Sequence, residues 1–237
     1  MTRGAVVIGA AGGIGSAVVA RLLDEEWTVA AVDRDPEVAA LAGPRCRAVT
    51  GDACDDDVLT NAFEALSGAQ PVALVHCVLA EHRGPLLDQH RDDLMAVLEI
   101  GAVSAHSAIK KLVAAANGPC SAVLVGSVQA GGAVPGQSAY AMGKAALEAL
   151  SRAAAVELAG VGLRCNVVRP GFVAVPRNQH RWTDPALATA YPLGRFCTPA
   201  EVAEVIAFLA GDRSSYVSGS VITVDGAATG ILPEVLA

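Results

Sequence analysis

Ala5-Val-Val-Ile-Gly9-Ala-Ala-Gly-Gly13-Ile-Gly15-Ser16 decides the fold. An unbroken apolar run stops at Gly9, glycines recur at 12, 13 and 15, and a second apolar stretch from Ile14 to Leu23 has helical length. This predicts a strand, a tight turn and a helix. Glycines let the backbone approach a pyrophosphate, and the helix amino terminus offers unpaired N–H groups with a partial positive charge. Gly/Ala-rich strand-to-helix turns also serve packing alone, so the next acid along the chain matters. Asp33 closes the run Thr28 to Asp33, eighteen residues beyond Gly15. A carboxylate there accepts hydrogen bonds from an adenosine ribose and repels a 2'-phosphate, which favours NAD over NADP. Arg34 either pairs with a 2'-phosphate or is a solvated loop cation, and Asp33 favours the second reading.

Working outward, apolar runs recur at Cys46 to Gly51, Val72 to Cys77, Ser121 to Ser127, Leu163 to Val168 and Val221 to Asp225. With the first two they make seven candidate strands. Continuous apolar character, in place of strict alternation, is expected of strands covered on both faces. The intervening stretches are long enough for right-handed helical crossovers, so an α/β doubly wound parallel sheet, a Rossmann fold, is expected. No linker or charge run divides the 237 residues, and one domain over 1–237 is expected.

The formal net charge is −7 with no basic stripe, which argues against a nucleic-acid partner and a polybasic membrane contact. Charged residues or glycines interrupt every apolar run, so no membrane span is expected. Gly4 to Ala20, uncharged after Arg3, has the look of a leader, but its glycines suit a turn better. Six scattered cysteines show neither zinc-ligand nor disulfide spacing, so no metal site is expected and a cytoplasmic location is the default.

The second informative stretch is Tyr140-Ala-Met-Gly-Lys144, with Ser127 thirteen residues upstream at the end of a strand. Residues four apart share a helix face, so Lys144 can stand beside the Tyr140 phenol and stabilise its ionised form. Ser127, at the carboxyl end of a strand, faces the crevice where open α/β sheets bind ligands. A half-buried tyrosine with a snorkelling lysine is the plainer alternative.

Taken in order, these motifs resemble the short-chain dehydrogenase/reductase family over nearly the full chain. Gly9, Gly13 and Gly15 match its cofactor turn, with Ala11, Gly12 and Ile14 between them. Asp33 and Asp52, the latter followed by Ala53, fall where NAD-type members recognise ribose and adenine; Gly51-Asp52 is also an ordinary turn pair. Ser127, Tyr140 and Lys144 match the catalytic serine, tyrosine and lysine. Asn166-Val-Val-Arg-Pro170-Gly171, continuing to Val173, resembles the segment bordering the nicotinamide, and Asp225-Gly-Ala227 the terminal Asp-Gly-Gly. The resemblance implies an NAD(P)(H)-dependent oxidoreductase that interconverts a secondary alcohol and a ketone, with Tyr140 as general acid/base, a small-molecule alcohol or carbonyl substrate and a homo-oligomer, commonly a tetramer.

Three departures qualify it. His76-Cys77-Val78-Leu79 replaces the family's Asn-Asn-Ala-Gly beside the cofactor. His76 is read as a hydrogen-bonded amide substitute in preference to a proton carrier. Glu99 falls where an ungapped match puts the asparagine of the lysine's water relay; it either replaces that relay, pairs with Lys144, or is a solvated helix glutamate. Val175 stands where many relatives carry a threonine. A nucleotide-binding or redox-silent protein on the same fold is therefore the alternative. Residues 171–197 lack a regular pattern and are expected to form the substrate loop. There Arg177, His180 and Arg181 near Trp182 suggest an anion beside a ring, or equally a solvated surface. Gln129 and Gln137 are placed by analogy along the pocket.

Overall fold

The computed structural model describes residues 2–183, 185–189 and 191–231. Strand β1 (Thr2–Ile8) leads into helix α1 (Gly13–Asp24), followed by β2 (Thr28–Asp33), β3 (Cys46–Thr50), α2 (Asp56–Glu64) and β4 (Ala69–His76). The second half holds α3 (Arg91–Leu98), α4 (Ser104–Ala115), β5 (Cys120–Val125), α5 (Ser138–Glu157) and β6 (Leu163–Pro170). After the short helices α6 (Gln179–Trp182) and α7 (Pro185–Ala188) come α8 (Pro199–Ala210) and β7 (Val221–Val224). The seven strands form one sheet in the order β3-β2-β1-β4-β5-β6-β7, and every neighbouring pair is parallel. The doubly wound sheet expected from the sequence is thus present.

Strand β1 shows why its run is apolar throughout. Ala5 and Val7 join one core with Val18, Leu22, Val202, Ile206 and Leu209 of α1 and α8. Val6 and Ile8 join the opposite core with Leu59, Phe63, Ile109, Leu112 and Leu147 of α2, α4 and α5. Each fully buried aliphatic side chain of this kind contributes about 1.5–3 kcal/mol. The capping chemistry is local: Thr198 and Glu201 close a capping box on α8, with Pro199 in its first turn.

Thr28–Asp33 has the bounds the sequence predicts, whereas β1 and β4 begin earlier than their apolar runs. Their ladder continues through Thr2↔Ala69 and Arg3↔Gln70, where backbone pairing outlasts side-chain burial. At the carboxyl ends the strands stop short of Gly9, Cys77 and Ser127, because these residues turn the chain; Ser127 accepts a hydrogen bond from the Gln129 amide.

Two further elements differ from expectation. A π-helical turn, Glu99–Val103, joins α3 to α4 and shifts the register of side chains around the helix. The 171–197 segment is not patternless: it contains α6 and α7, and a bridge between Val173 and Cys197 ties its base. Positions 1, 184, 190 and 232–237 lie outside the described residues, as do the side chains of Pro71, Trp182, Pro185 and Ala186, so the expected grouping around Trp182 falls there too. Among the described residues no helix is long and apolar enough to cross a membrane.

Candidate active site

Both sequence motifs converge at the carboxyl ends of the central strands. In the turn after β1, Gly9 has φ +80°, and a Cβ on Gly15 would lie 2.0 Å from the Gly9 carbonyl oxygen. The turn closes only without that carbon. Ser16 is the first amide of α1 to bond back, to Gly12, and the first turn carries no acid. The Gly12 amide turns back to Gly9 and the Ala11 amide to Asp33, which leaves the amides of Gly13, Ile14 and Gly15 to meet an anion. Asp33 accepts from the Ala11 amide at 2.9 Å and from the Asp35 amide at 3.0 Å, which fixes its carboxylate beside the glycine turn with lone pairs to spare. Arg34 is exposed. Asp52 is exposed and accepts from the Cys54 amide at 2.9 Å, the turn arrangement of the simpler reading, while Ala53 is buried.

Pro170 and Gly171 bring the chain back from β6. Val173 and Val175 are buried, and Val175 Cγ1 lies only 2.5 Å from where a Cβ on Gly13 would be. The segment after β6 thus rests on the amino end of α1, and the two parts of the predicted cofactor site adjoin. The glycine turn, the unpaired amides and the Asp33 carboxylate fit a dinucleotide.

The wall formed by β4 is unusual. His76 is fully buried, with Nε2 2.8 Å from Ser104 Oγ. Ser104 in turn donates to the Ile100 carbonyl at 2.6 Å, so the imidazole is the donor in the first bond. Burial, then the Lys144 charge, push the His76 pKa down to about 3. The ring stays neutral near pH 7 with its one proton on Nε2, donating as an amide substitute would, although among the described residues Nδ1 has no hydrogen-bond partner. Burial holds the neighbouring Cys77 thiol protonated, its pKa pushed up to about 12.

Lys144 reaches under this wall and donates to the carbonyls of Val125 (2.7 Å) and Val78 (3.1 Å). Its ammonium lies 5.7 Å from the Tyr140 ring centroid. Burial lowers the Lys144 pKa to about 8, helped by the charge of Arg177 and opposed by Cys77. Burial raises the Tyr140 pKa; a hydrogen bond with Ser127 and the Arg177 charge lower it, and Glu81 raises it. Ser127, Tyr140 and Lys144 are therefore together, with Ser127 and Arg177 working against the rise that burial imposes on the phenol. Gln129 donates to the Gln137 side chain at 3.0 Å.

Of the three readings of Glu99, the solvated helix glutamate agrees with the structure, and a place for it among the catalytic residues does not. Its side chain is exposed, and its charge bears on Cys54, while Gly101, two residues on in the π-helical turn, is buried. With Tyr140, Gly143 and Lys144, Gly101 lines a void of about 10 Å³, the size of one water molecule. A Cβ on Gly101 would meet nothing within 4 Å. Gly101→Ala is therefore expected to stabilise the protein by about 0.4–1 kcal/mol, and an unchanged or lowered Tm would contradict this. Also missed were Glu81, which no motif marks, and the carbonyls of Val78 and Val125, which carry no side-chain signature. A glycine within an otherwise helical stretch was the available clue to Gly101.

A glycine turn, an acid beside it and a Ser–Tyr–Lys cluster at the carboxyl ends of a doubly wound parallel sheet are the features of a nucleotide-binding α/β class. A family model described as enoyl-(acyl carrier protein) reductase matches residues 9–229. Cis-4-hydroxycyclohexanecarboxylate dehydrogenase from Sinomonas cyclohexanicum is 36% identical, covering 97% of this chain and 97% of its own. L-xylulose reductase from Bos taurus is 32% identical over 94% of this chain and 95% of its own. A crystal structure of a short-chain dehydrogenase/reductase family oxidoreductase from Burkholderia thailandensis superposes with a TM-score of 0.89 at 29% identity, covering all of this chain and 96% of that one. The chain belongs to the short-chain dehydrogenase/reductase family of oxidoreductases, which use nicotinamide cofactors.

Proposed function

We propose that the protein is an NAD(H)-dependent secondary-alcohol dehydrogenase or ketoreductase. The observation that carries this reading is the grouping of Ser127, Tyr140 and Lys144 beside the glycine turn held by Asp33. A bound nicotinamide supplies acceptance or return of a hydride at the carbinol carbon. The protein's own residues handle the proton. Ser127 hydrogen-bonds the reacting oxygen, Tyr140 takes the hydroxyl proton during oxidation or gives it during reduction, and Lys144 holds positive charge close to the phenol. Gly9, Gly12, Gly13 and Gly15 admit the pyrophosphate, with Ala11 and Ile14 completing the turn. Pro170, Gly171 and Val173 border the nicotinamide, and residues 171–197 enclose the substrate.

Asp33 supports NAD over NADP, since its carboxylate repels a 2'-phosphate. Asp33→Asn keeps one acceptor and removes the charge, so the NAD/NADP ratio of kcat/KM is expected to fall by about 10- to 150-fold, the equivalent of the roughly 1.5–3 kcal/mol of a hydrogen bond to a charged group. A ratio that does not move would remove Asp33 from ribose recognition.

The direct test is calorimetry with NADH followed by turnover of cyclic and acyclic secondary alcohols, including cis-4-hydroxycyclohexanecarboxylate, the alcohol acted on by the Sinomonas relative. Tight NADH binding without turnover across that panel would favour the redox-silent alternative, which the altered wall at His76 and Cys77 motivates. For assembly, a homo-oligomer is supported by the solvent-facing stripe on α5, where Met142, Ala145, Ala149, Ala153 and Val156 are exposed on one face. We place the protein in the cytoplasm.

A further inference from the structure

Arg177 is the cation nearest in effect to the catalytic pair that the proposed chemistry leaves unused. It sits in a short 3-10 turn, Pro176–Asn178, directly after the segment that rests on Gly13. The turn is pinned by Asn178, which accepts from the Val175 amide at 3.0 Å and donates to the Val173 carbonyl at 2.9 Å. Arg177 is thus held at a fixed root. It pairs with Glu81, whose neighbour Ala80 lines the same small void as Tyr140 and Lys144, and its charge accordingly lowers the pKa of both.

The contact holding the other end is loose. Among the described residues the ion-pair partner of Arg177 is Glu81, at 3.6 Å, with the arginine side chain 58% exposed. That distance exceeds a charge-assisted hydrogen bond by more than half an ångström. Glu81 also pairs with Arg83 at 3.3 Å, so it keeps a partner if Arg177 leaves. Exposed ion pairs of this kind contribute little to stability. A better-placed carboxylate can therefore take over the guanidinium in bidentate geometry. The same segment supplies apolar surface: Phe172, Leu187, Tyr191 and Phe196 line a cavity of about 390 Å³, whose lining cation, Arg181, is laid over the Phe172 ring at 4.8 Å.

We propose that Arg177 is a specificity residue that receives the carboxylate of an anionic substrate, taking it in exchange for Glu81. The substrate class is then a hydroxy or oxo acid with an apolar carbon frame, carrying its reacting carbon at Tyr140. This inference rests on the dehydrogenase reading for the chemistry, but not for the binding. A phosphate of the cofactor is the competing use of the same cation, and affinity for NADH separates the two.

The test is calorimetric titration of the protein, alone and with NADH, with cyclohexanecarboxylate and hexanoate and with their uncharged carboxamides. Wild type is expected to bind at least one carboxylate about tenfold or more tighter than its amide, a difference of about 1.4 kcal/mol. Arg177→Met should abolish that difference and leave the Kd for NADH within about twofold, while Glu81→Gln should tighten carboxylate binding by removing the competitor. Equal binding of acids and amides, discrimination that survives in Arg177→Met, or a parallel loss of NADH affinity would each overturn the proposal. Failure of NADH to bind at all, with carboxylate discrimination intact, would instead count against the dehydrogenase reading and leave the carboxylate site standing.

Discussion

Tyr140→Phe is expected to lower kcat by about 10²- to 10⁴-fold, the range contributed by a positioned general acid or base, while the Kd for NADH stays near the wild-type value. The phenol is half-buried and lies near enough to Ser127 to be affected by it, so removing its oxygen deletes the proton acceptor without opening a cavity. Stopped-flow or steady-state assays with any alcohol that wild type oxidises will check this, and full turnover in the variant would reassign the proton transfer. A pH dependence accompanies it. Oxidation requires the phenolate, so kcat/KM for the alcohol should climb with pH towards the raised Tyr140 pKa. Reduction requires the phenol and should fall above that pKa. An oxidation rate that is the same at pH 6 and pH 9 would be inconsistent with Tyr140 as the titrating group.

Gly15→Ala is expected to be the most damaging change of a single methyl group in the molecule. The new carbon would fall 2.0 Å from the Gly9 carbonyl oxygen, with further backbone at 2.8 and 2.9 Å. Backbone cannot rotate aside as a side chain can, so the turn itself must deform. Overpacking of this type costs about 1–3 kcal/mol, and each kcal/mol corresponds to about 2–4 °C of Tm at this chain length. The deformation falls on the amides offered to the pyrophosphate, so NADH affinity should drop by about tenfold or more, equivalent to at least 1.4 kcal/mol. Thermal melts and NADH titrations measure the two effects separately. Retention of both values would show that the turn has slack that the contact distances deny. Gly101→Ala moves in the opposite direction because its Cβ points into open space, so the pair of substitutions separates a glycine demanded by contact from one that is not.

The course of the chain was readable where one force dominates. Burial on both faces produced apolar runs that mark each strand, and the required absence of a Cβ marked the turn at Gly9 to Gly15. Ser127, Tyr140 and Lys144 were legible because a strand end and a helix face bring them together. What escaped was set by backbone geometry with little side-chain signal. In the π-helical turn the inward position is Gly101 and not Glu99, and a regular helical count cannot anticipate one additional residue in a turn. Lys144 found backbone carbonyls of Val78 and Val125, which every residue possesses. The Glu81–Arg177 pair joins residues far apart in sequence on two loops, and no local pattern encodes such a meeting. The short helices of residues 171–197 were hidden because segments of four residues have too few positions to display a period.

The central place of β1 also bears on how the molecule is made. Its neighbours are β2 and β4, so its second edge stays open until residues 69–76 have been synthesised. At about 5–20 residues per second a ribosome needs several seconds to deliver them. During that interval Ala5-Val-Val-Ile8, among the most apolar segments of the nascent chain, has one unprotected strand edge. Early translation is thus the period in which the polypeptide is most exposed to misassociation, and an amino-terminal fragment ending before β4 should aggregate where one extending past His76 does so less.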